Sequence, residues 1–490
     1  MSLSSKERLR HPESGNCLVS ITHLRRISLS QSTTSLTTRF SSRASLAALV
    51  ALMRARGIFD LLRLGVQIEQ KTVKDSPQEK LLDILLALLA GAHSLVQLNT
   101  LLRDDPAWQR AAGRQRSVEQ SVAHQTLDAA TAETVAELQQ VLTTLTRRYS
   151  QVARHSYRSE WLLLDVDLTG LPAGKSAEQS VKGYFSAARS RRGRQQGRVL
   201  ASQYGEIVCD ALYPGNTLLV QVLPELITQA EQVLGSTPFQ RSRTIIRIAG
   251  GGGSVGSLNF LLERGYAVVS KDYSVRRTHL LARTVTKWVP DRDHPEREIG
   301  WVPSQSNEYG RPVKRLAVRS RTAKGQWRYA VLLFAGLSDQ DLLTLMGEPR
   351  QADATTVMRA YLHCYDQRGG GIESSFGQDK SGLGLTKRHK KRFEAQRLLM
   401  LLGTLAHNLL MWARRWLAQA SPAQASRLQR YGIKRLVRDL ACISGSLTFD
   451  GHERLHVVAL NSASSLAKLM LVPLRHLLAP FSIAVILDKT

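Results

Sequence analysis

Two carboxylates, Asp165 and Asp167, sit near the end of an otherwise apolar run, Trp161-Leu162-Leu163-Leu164-Asp165-Val166-Asp167-Leu168-Thr169. A carboxylate inside an apolar strand is costly unless it is paired or binds a cation. Strand alternation places both on one face. A strand end surfacing into a polar loop would read the same way. Another acid, Glu373, stands in Gly371-Ile372-Glu373-Ser374-Ser375-Phe376, with Tyr365 and Arg368 before it and Lys380 seven residues after it. Two helical turns put Lys380 on the face of Glu373, within reach of a substrate phosphate, although a solvated helix face is the usual fate of such a pair. Carboxylates converging from separate elements hold hard divalent cations. Two such cations ~4 Å apart activate the attacking oxygen and stabilise the leaving one in phosphodiester chemistry.

The elements that must position these groups follow from the apolar pattern. Trp161 to Val166 reads as a buried strand, and Arg198 to Ala201 and Ile207 to Tyr213 as two more, joined by a turn at Tyr204-Gly205. Pro224 to Leu234 reads as an amphipathic helix with its proline in the first turn. Thr244 to Ile248 is a strand, Val255 to Arg264 a helix and Ala267 to Lys271 a strand. Three strands, helix, strand, helix, strand is the order of a ribonuclease H-like core. The expected fold class is therefore α/β, a ribonuclease H-like mixed sheet with a β-rich insertion, preceded by an all-helical N-terminal domain. The expected segments are a disordered basic tail at 1–42, a helical DNA-binding domain at 43–155 that reads equally as a dimerisation or packing domain, and the first part of the core at 156–272. The β-rich insertion at 273–338, the second part of the core at 339–420 and a C-terminal extension at 421–490 follow. Helical pattern runs from Asp339 through Trp416 and is interrupted by Gly369-Gly370-Gly371.

Composition narrows the chemistry. The chain has 490 residues, about three domains at ~150 residues each, and a hydrophobic content of 43% that excludes wholesale disorder. Cys17, Cys209, Cys364 and Cys442 stand far apart, which excludes a disulfide scaffold and zinc fingers and suits a reducing cytoplasm. The apolar run from Leu398 to Trp412, broken by His407 and Asn408, is shorter than the ~20 residues of a membrane span and reads as a buried helix. Lys plus Arg is 67 against 40 Asp plus Glu, a net charge of +27 that points to a polyanion, nucleic acid first. Arg189, Arg191, Arg192, Arg194 and Arg198 read as a basic loop, and Lys387, Arg388, His389, Lys390, Lys391 and Arg392 as a second basic run. Both are expected to meet a DNA backbone beside the acids, each neutralised phosphate lowering log K by ~0.9 per decade of salt. Such contacts position DNA without reading its sequence. His407 reads as a core or helix-packing histidine.

Taken together, these residues resemble the insertion-sequence DDE transposases, specifically the large bacterial group with a β-rich insertion before the last acid. The signature there is Tyr-x2-Arg-x3-Glu-x6-Lys. Tyr365, Arg368, Glu373 and Lys380 match it, with one extra residue in the glycine cluster. The first motif resembles Asp165-Val166-Asp167-Leu168-Thr169, with Asp167 the favoured ligand over Asp165. The second resembles a strand ending Arg-Ile-Asp before a glycine turn and Leu-Asn-x-Leu-Leu-x-Arg-Gly-Tyr. Arg247, Ile248, Gly251, Gly253, Leu258, Asn259, Leu261, Leu262, Arg264, Gly265 and Tyr266 match it, while Ala249 replaces the aspartate.

The resemblance, which spans roughly residues 45–420, implies a two-metal Mg²⁺ or Mn²⁺ site held by Asp167 and Glu373, with Arg368, Lys380 and Tyr365 beside it. It implies cleavage and strand transfer at terminal inverted repeats and into target DNA, by a homodimer in a bacterial, nucleoid-associated setting, with no membrane. The alanine implies a crippled site and a co-opted DNA-binding protein, unless Asp210 or Asp272 substitutes. A third reading remains. Gly251 to Gly256 satisfies GxGxxG between a strand and a helix, with Asp272 ending the next strand, as in a dinucleotide-binding oxidoreductase. The β-rich stretch after it and the charge weigh against that reading.

Overall fold

The computed structural model describes residues 35–71, 74–183, 185, 191–303 and 308–488. The fold is mixed α/β. Its centre is a sheet of ten strands. Leu162–Pro172 (β2) lies between Arg192–Ala201 (β4), antiparallel to it, and Thr244–Ile248 (β6), parallel to it. Val181–Lys182 (β3) and Glu206–Pro214 (β5) both pair with β4, and Ala267–Lys271 (β7) runs parallel beside β6. The core strands thus lie in the order β5-β4-β2-β6-β7.

The segment expected to be a β-rich insertion carries Val289–Pro290 (β8), Arg297–Trp301 (β9), Val313–Arg321 (β10) and Trp327–Ala335 (β11). These strands extend the same sheet as β7-β11-β10-β9-β8, with β11 antiparallel to β7.

Strand alternation divides the core. Leu164, Val166, Ile246 and Ile248 pack with Leu223, Leu226 and Leu261 from the helices Leu219–Leu234 and Val255–Glu263. On the other face Leu163, Ile245, Val269 and Phe334 pack with Leu342, Met358 and Tyr361 from Asp339–Met346 and Ala354–Arg368. The helix that contains Pro224 starts at Leu219, earlier than the sequence suggested, so the proline lies inside it and one backbone hydrogen bond is forgone.

Thr37–Ser41 (β1), expected in the tail, is a strand. It belongs to a separate four-stranded sheet with Gly445–Phe449 (β12), Leu455–Asn461 (β13) and Ala484–Asp488 (β14), in the order β1-β12-β13-β14. The helices of 43–155 and the extension at 421–490 do not form separate cores. Leu46, Leu85, Trp108 and Leu138 share one core with Leu405 and Trp412 and with Leu447 and Leu474. The cause is the helix Phe393–Ala420, which runs 28 residues and buries most of its surface, so it must be covered from several sides. Among the described residues no helix is long and apolar enough to cross a membrane.

The glycine cluster does not interrupt the helix. Gly369–Glu373 forms one π turn that joins Ala354–Arg368 directly to Ser374–Gly382. A π turn absorbs one additional residue while leaving the flanking turns in register. That is where the chain carries its extra residue between Arg368 and Glu373. Glycine is required at one point of closest approach: a Cβ on Gly371 would run into Asp165 Oδ2 on β2.

Candidate functional site

Asp165 and Asp167 share the face of β2 that looks toward the Ala354–Gly382 helical segment, and their fates differ. Asp165 is fully buried and accepts two hydrogen bonds from Arg247 of β6, at 2.6 and 3.0 Å. The same guanidinium reaches the Cys364 carbonyl and Ser202 Oγ, both at 3.0 Å. Burial pushes the Asp165 carboxyl up and Arg247 pulls it back. Asp165 is therefore tied into a structural ion pair joining β2, β6 and the helix, and its side chain is 0% exposed.

Asp167 is the accessible member. Arg368 places Nη1 2.9 Å from Asp167 Oδ2 and Nη2 2.7 Å from Glu373 Oε1, so one guanidinium bridges the two acids. The Asp167 side chain is 21% exposed and that of Glu373 58%, while Arg368 is 8% exposed, so the pair of acids opens outward from a buried cation. Burial pushes the Asp167 carboxyl up, opposed by Arg368. The half-buried Tyr365 ring lies 6.0 Å from that guanidinium, and burial pushes its phenol up. Lys380 donates to Thr169 Oγ1 at 2.7 Å, and burial lowers its ammonium. Thr169 closes the first motif, and its place two residues after Asp167 puts it on the same face. Val166 pairs with Ile248, the last residue of β6, and Ala249 follows it into the glycine turn.

The donor set does not fit the expected two-metal site. Its two open carboxylates share a guanidinium, Asp165 is spent on Arg247, and a methyl stands at the third position. Among the described residues no group of three His, Cys, Asp or Glu could hold a metal ion. Neither proposed substitute is free. Asp272 accepts from Arg277 at 2.7 and 2.9 Å and from the Ser274 backbone N–H at 2.8 Å. Asp210 accepts from Arg198 at 2.9 and 3.0 Å and from Thr404 at 2.6 Å.

The same contacts weigh against the dinucleotide reading, because the Asp272 side chain is 0% exposed and held by Arg277. A Cβ on Gly253 would run into the Lys271 carbonyl, so that glycine serves close packing of the turn on β7.

Several residues expected to touch DNA are structural. Arg198 lies on β4, and beyond Asp210 it donates to Asp379 and Ser375, both at 2.8 Å. Arg194 fastens β4 to the second basic run through the carbonyls of Glu178, Lys390 and Lys391 at 2.7, 3.0 and 2.7 Å. Lys390 pairs with Asp128 at 2.8 Å. Arg388 is buried, which draws its pKa down to about 10. Arg189 lies outside the described residues. Arg191, Lys387, Lys391 and Arg392 are exposed, as is part of Arg192. Arg194 holds the two runs together, so these cations share one edge. The Arg392 guanidinium is also held by the Asp128 carbonyl. Along β2, Pro172 pairs with Gly193 while Asp167 pairs with Arg198. The patch thus starts about 17 Å from Asp167, five strand residues away.

The sequence reading missed the polar knot beneath this site. Asp379 pairs with Arg198 and lies 2.7 Å from His407 Nδ1, whose Nε2 faces the Gly205 carbonyl at 2.8 Å. Burial raises the Asp379 carboxyl, but His407 and Arg198 more than reverse this and hold it at about 2. That value lies below the ~3.9 of an unfolded aspartate. The resulting stabilisation is therefore present above pH ~4 and is lost as pH falls toward 2. Urea unfolding of the native chain and Asp379→Asn should show a stability gap that narrows between pH 4 and pH 2. A gap constant over that range would rule out this coupling.

No protein-family model and no curated protein matches the chain. Among solved structures it is similar to a piggyBac transposase synaptic complex with hairpin DNA, at 11% identity over 82% of this chain and 80% of that chain, with a TM-score of 0.45.

Proposed function

We propose that the chain is a DNA-binding protein on the DDE transposase plan, with a ribonuclease H-like core whose two-metal centre is disabled. The reading rests on one observation: Asp167, Arg368, Glu373 and Lys380 come together along one face of β2, and Ala249 directly follows Ile248, the partner of Val166. The strand order β5-β4-β2-β6-β7 supports the ribonuclease H-like assignment. The +27 charge and the exposed cations Arg191, Lys387 and Lys391 support a DNA partner. In this reading the protein occupies terminal inverted repeats without cutting them. Arg368, buried between two carboxylates, keeps the acidic edge from repelling the backbone.

The test is strand cleavage in Mg²⁺ or Mn²⁺ on DNA bearing the repeats that flank the gene, for the native chain and for Ala249→Asp. The expected result is binding by both and cleavage by the aspartate variant alone. Cleavage by the native chain would overturn the disabled site. Absence of binding by both would overturn the DNA reading.

A further inference from the structure

A second polar recess lies in the helical region. It encloses about 340 Å³ and is lined by Lys71, Lys74, Lys80, Arg103 and Arg116, against only Asp75 and Glu119. Those acids are already engaged: Asp75 by Arg114 at 3.0 Å and by Arg116 at 3.6 Å, and Glu119 by Arg103 at 3.0 Å. The recess therefore carries an excess of positive charge.

Two of its groups are built in. Lys80 lies on the helix Pro77–Leu89 and is 5% exposed, and among the described residues no carboxylate comes within ion-pair distance of its ammonium. Its partner is the neutral Gln70 Oε1 at 3.2 Å, which also accepts from Thr126 at 2.9 Å. Ser117, 4% exposed on the same wall, has a buried hydroxyl with no hydrogen-bond partner. An ammonium whose hydrogen-bond partner is a neutral amide, beside an unsatisfied hydroxyl, leaves donors that an anion can satisfy. Phosphate oxygens accept from both kinds of donor.

We infer that this recess is a phosphate-binding site, with Lys80 and Ser117 at its base and Arg103 and Arg116 at its rim. Resting on the DNA reading above, the phosphate would be one of the backbone, gripped by the helical region some distance from the acidic edge. A free nucleotide offers the same chemistry, and the experiment separates the two sources.

The full chain is titrated by fluorescence anisotropy with a labelled 30-base-pair duplex at several salt concentrations, and separately by calorimetry with adenosine monophosphate. Native protein is compared with Lys80→Met and with the exposed-rim pair Arg103→Ala/Arg116→Ala. If a backbone phosphate is the ligand, each variant weakens the duplex about 10-fold and lowers the salt slope by about one unit. Mononucleotide binding that is lost in both variants, with the duplex unaffected, would assign the site to a free nucleotide. Unchanged binding of both probes by the rim pair would overturn the site, even if Lys80→Met failed to fold. Mononucleotide binding without any duplex binding would leave the recess standing and sink the DNA reading.

Discussion

Arg198→Met is expected to cost about 3–5 kcal/mol, the loss seen when one member of a buried ion pair is removed. The guanidinium is 1% exposed and neutralises two carboxylates, Asp210 and Asp379, whose side chains are 0% and 4% exposed. Without it, Asp210 retains the Thr404 hydroxyl and Asp379 retains His407 and loses a charged partner. Domains of ordinary stability hold only about 5–15 kcal/mol in total, so the variant should unfold at much lower urea concentration with an unchanged slope. Arg191→Ala, in the exposed part of the same run, should stay within about 0.5 kcal/mol of native stability. A DNA contact at Arg198 requires the opposite pattern, native stability with a reduced salt slope. That pattern would refute the structural role.

The second large effect concerns Asp165. Asp165→Leu should cost about 3–5 kcal/mol because Arg247, 1% exposed, is left as a buried unpaired cation. Asp165→Leu combined with Arg247→Met should recover most of that loss, since two apolar side chains of similar bulk need no partners. Recovery is read from the coupling energy of a double-mutant cycle in urea. A metal-ligand role predicts instead that Asp165→Leu leaves stability untouched and that the double variant brings no recovery.

These two residues show where the sequence was legible and where it was not. Thr244–Ile248 and Ala267–Lys271 are short apolar runs between helical patterns, and their bounds were read correctly. Asp165 and Asp167 looked equivalent because alternation reports the face and says nothing of the partner. Arg247, which separates their roles, lies 82 positions from Asp165. The start of β4, Arg192-Gly193-Arg194-Gln195-Gln196, is polar enough to look like loop. It is a buried strand nonetheless, since Arg194 finds three carbonyls and its charge need not face water. Arg198, Arg388 and Lys390 look like DNA contacts in the sequence because a run of cations gives no sign of which are buried. The glycine cluster read as a break because glycine disfavours helix. Close approach of the helix to β2 makes its lack of a side chain the controlling property.

The small sheet sets a condition on how the protein is made. Strand β1 is synthesised early, yet its partner β12 lies about 400 residues later, with Thr38 bonded to Thr448 at a separation of 410 positions. At about 5–20 residues per second, roughly 20–80 s pass before that partner is translated. During this interval β1 is an unpaired edge beside the exposed Phe40, and the early helices lack Leu447 and Leu474 from their core. The small sheet is thus held open until residues 445–488 emerge. A nascent molecule stalled before residue 445 is the form most exposed to chaperones and proteases.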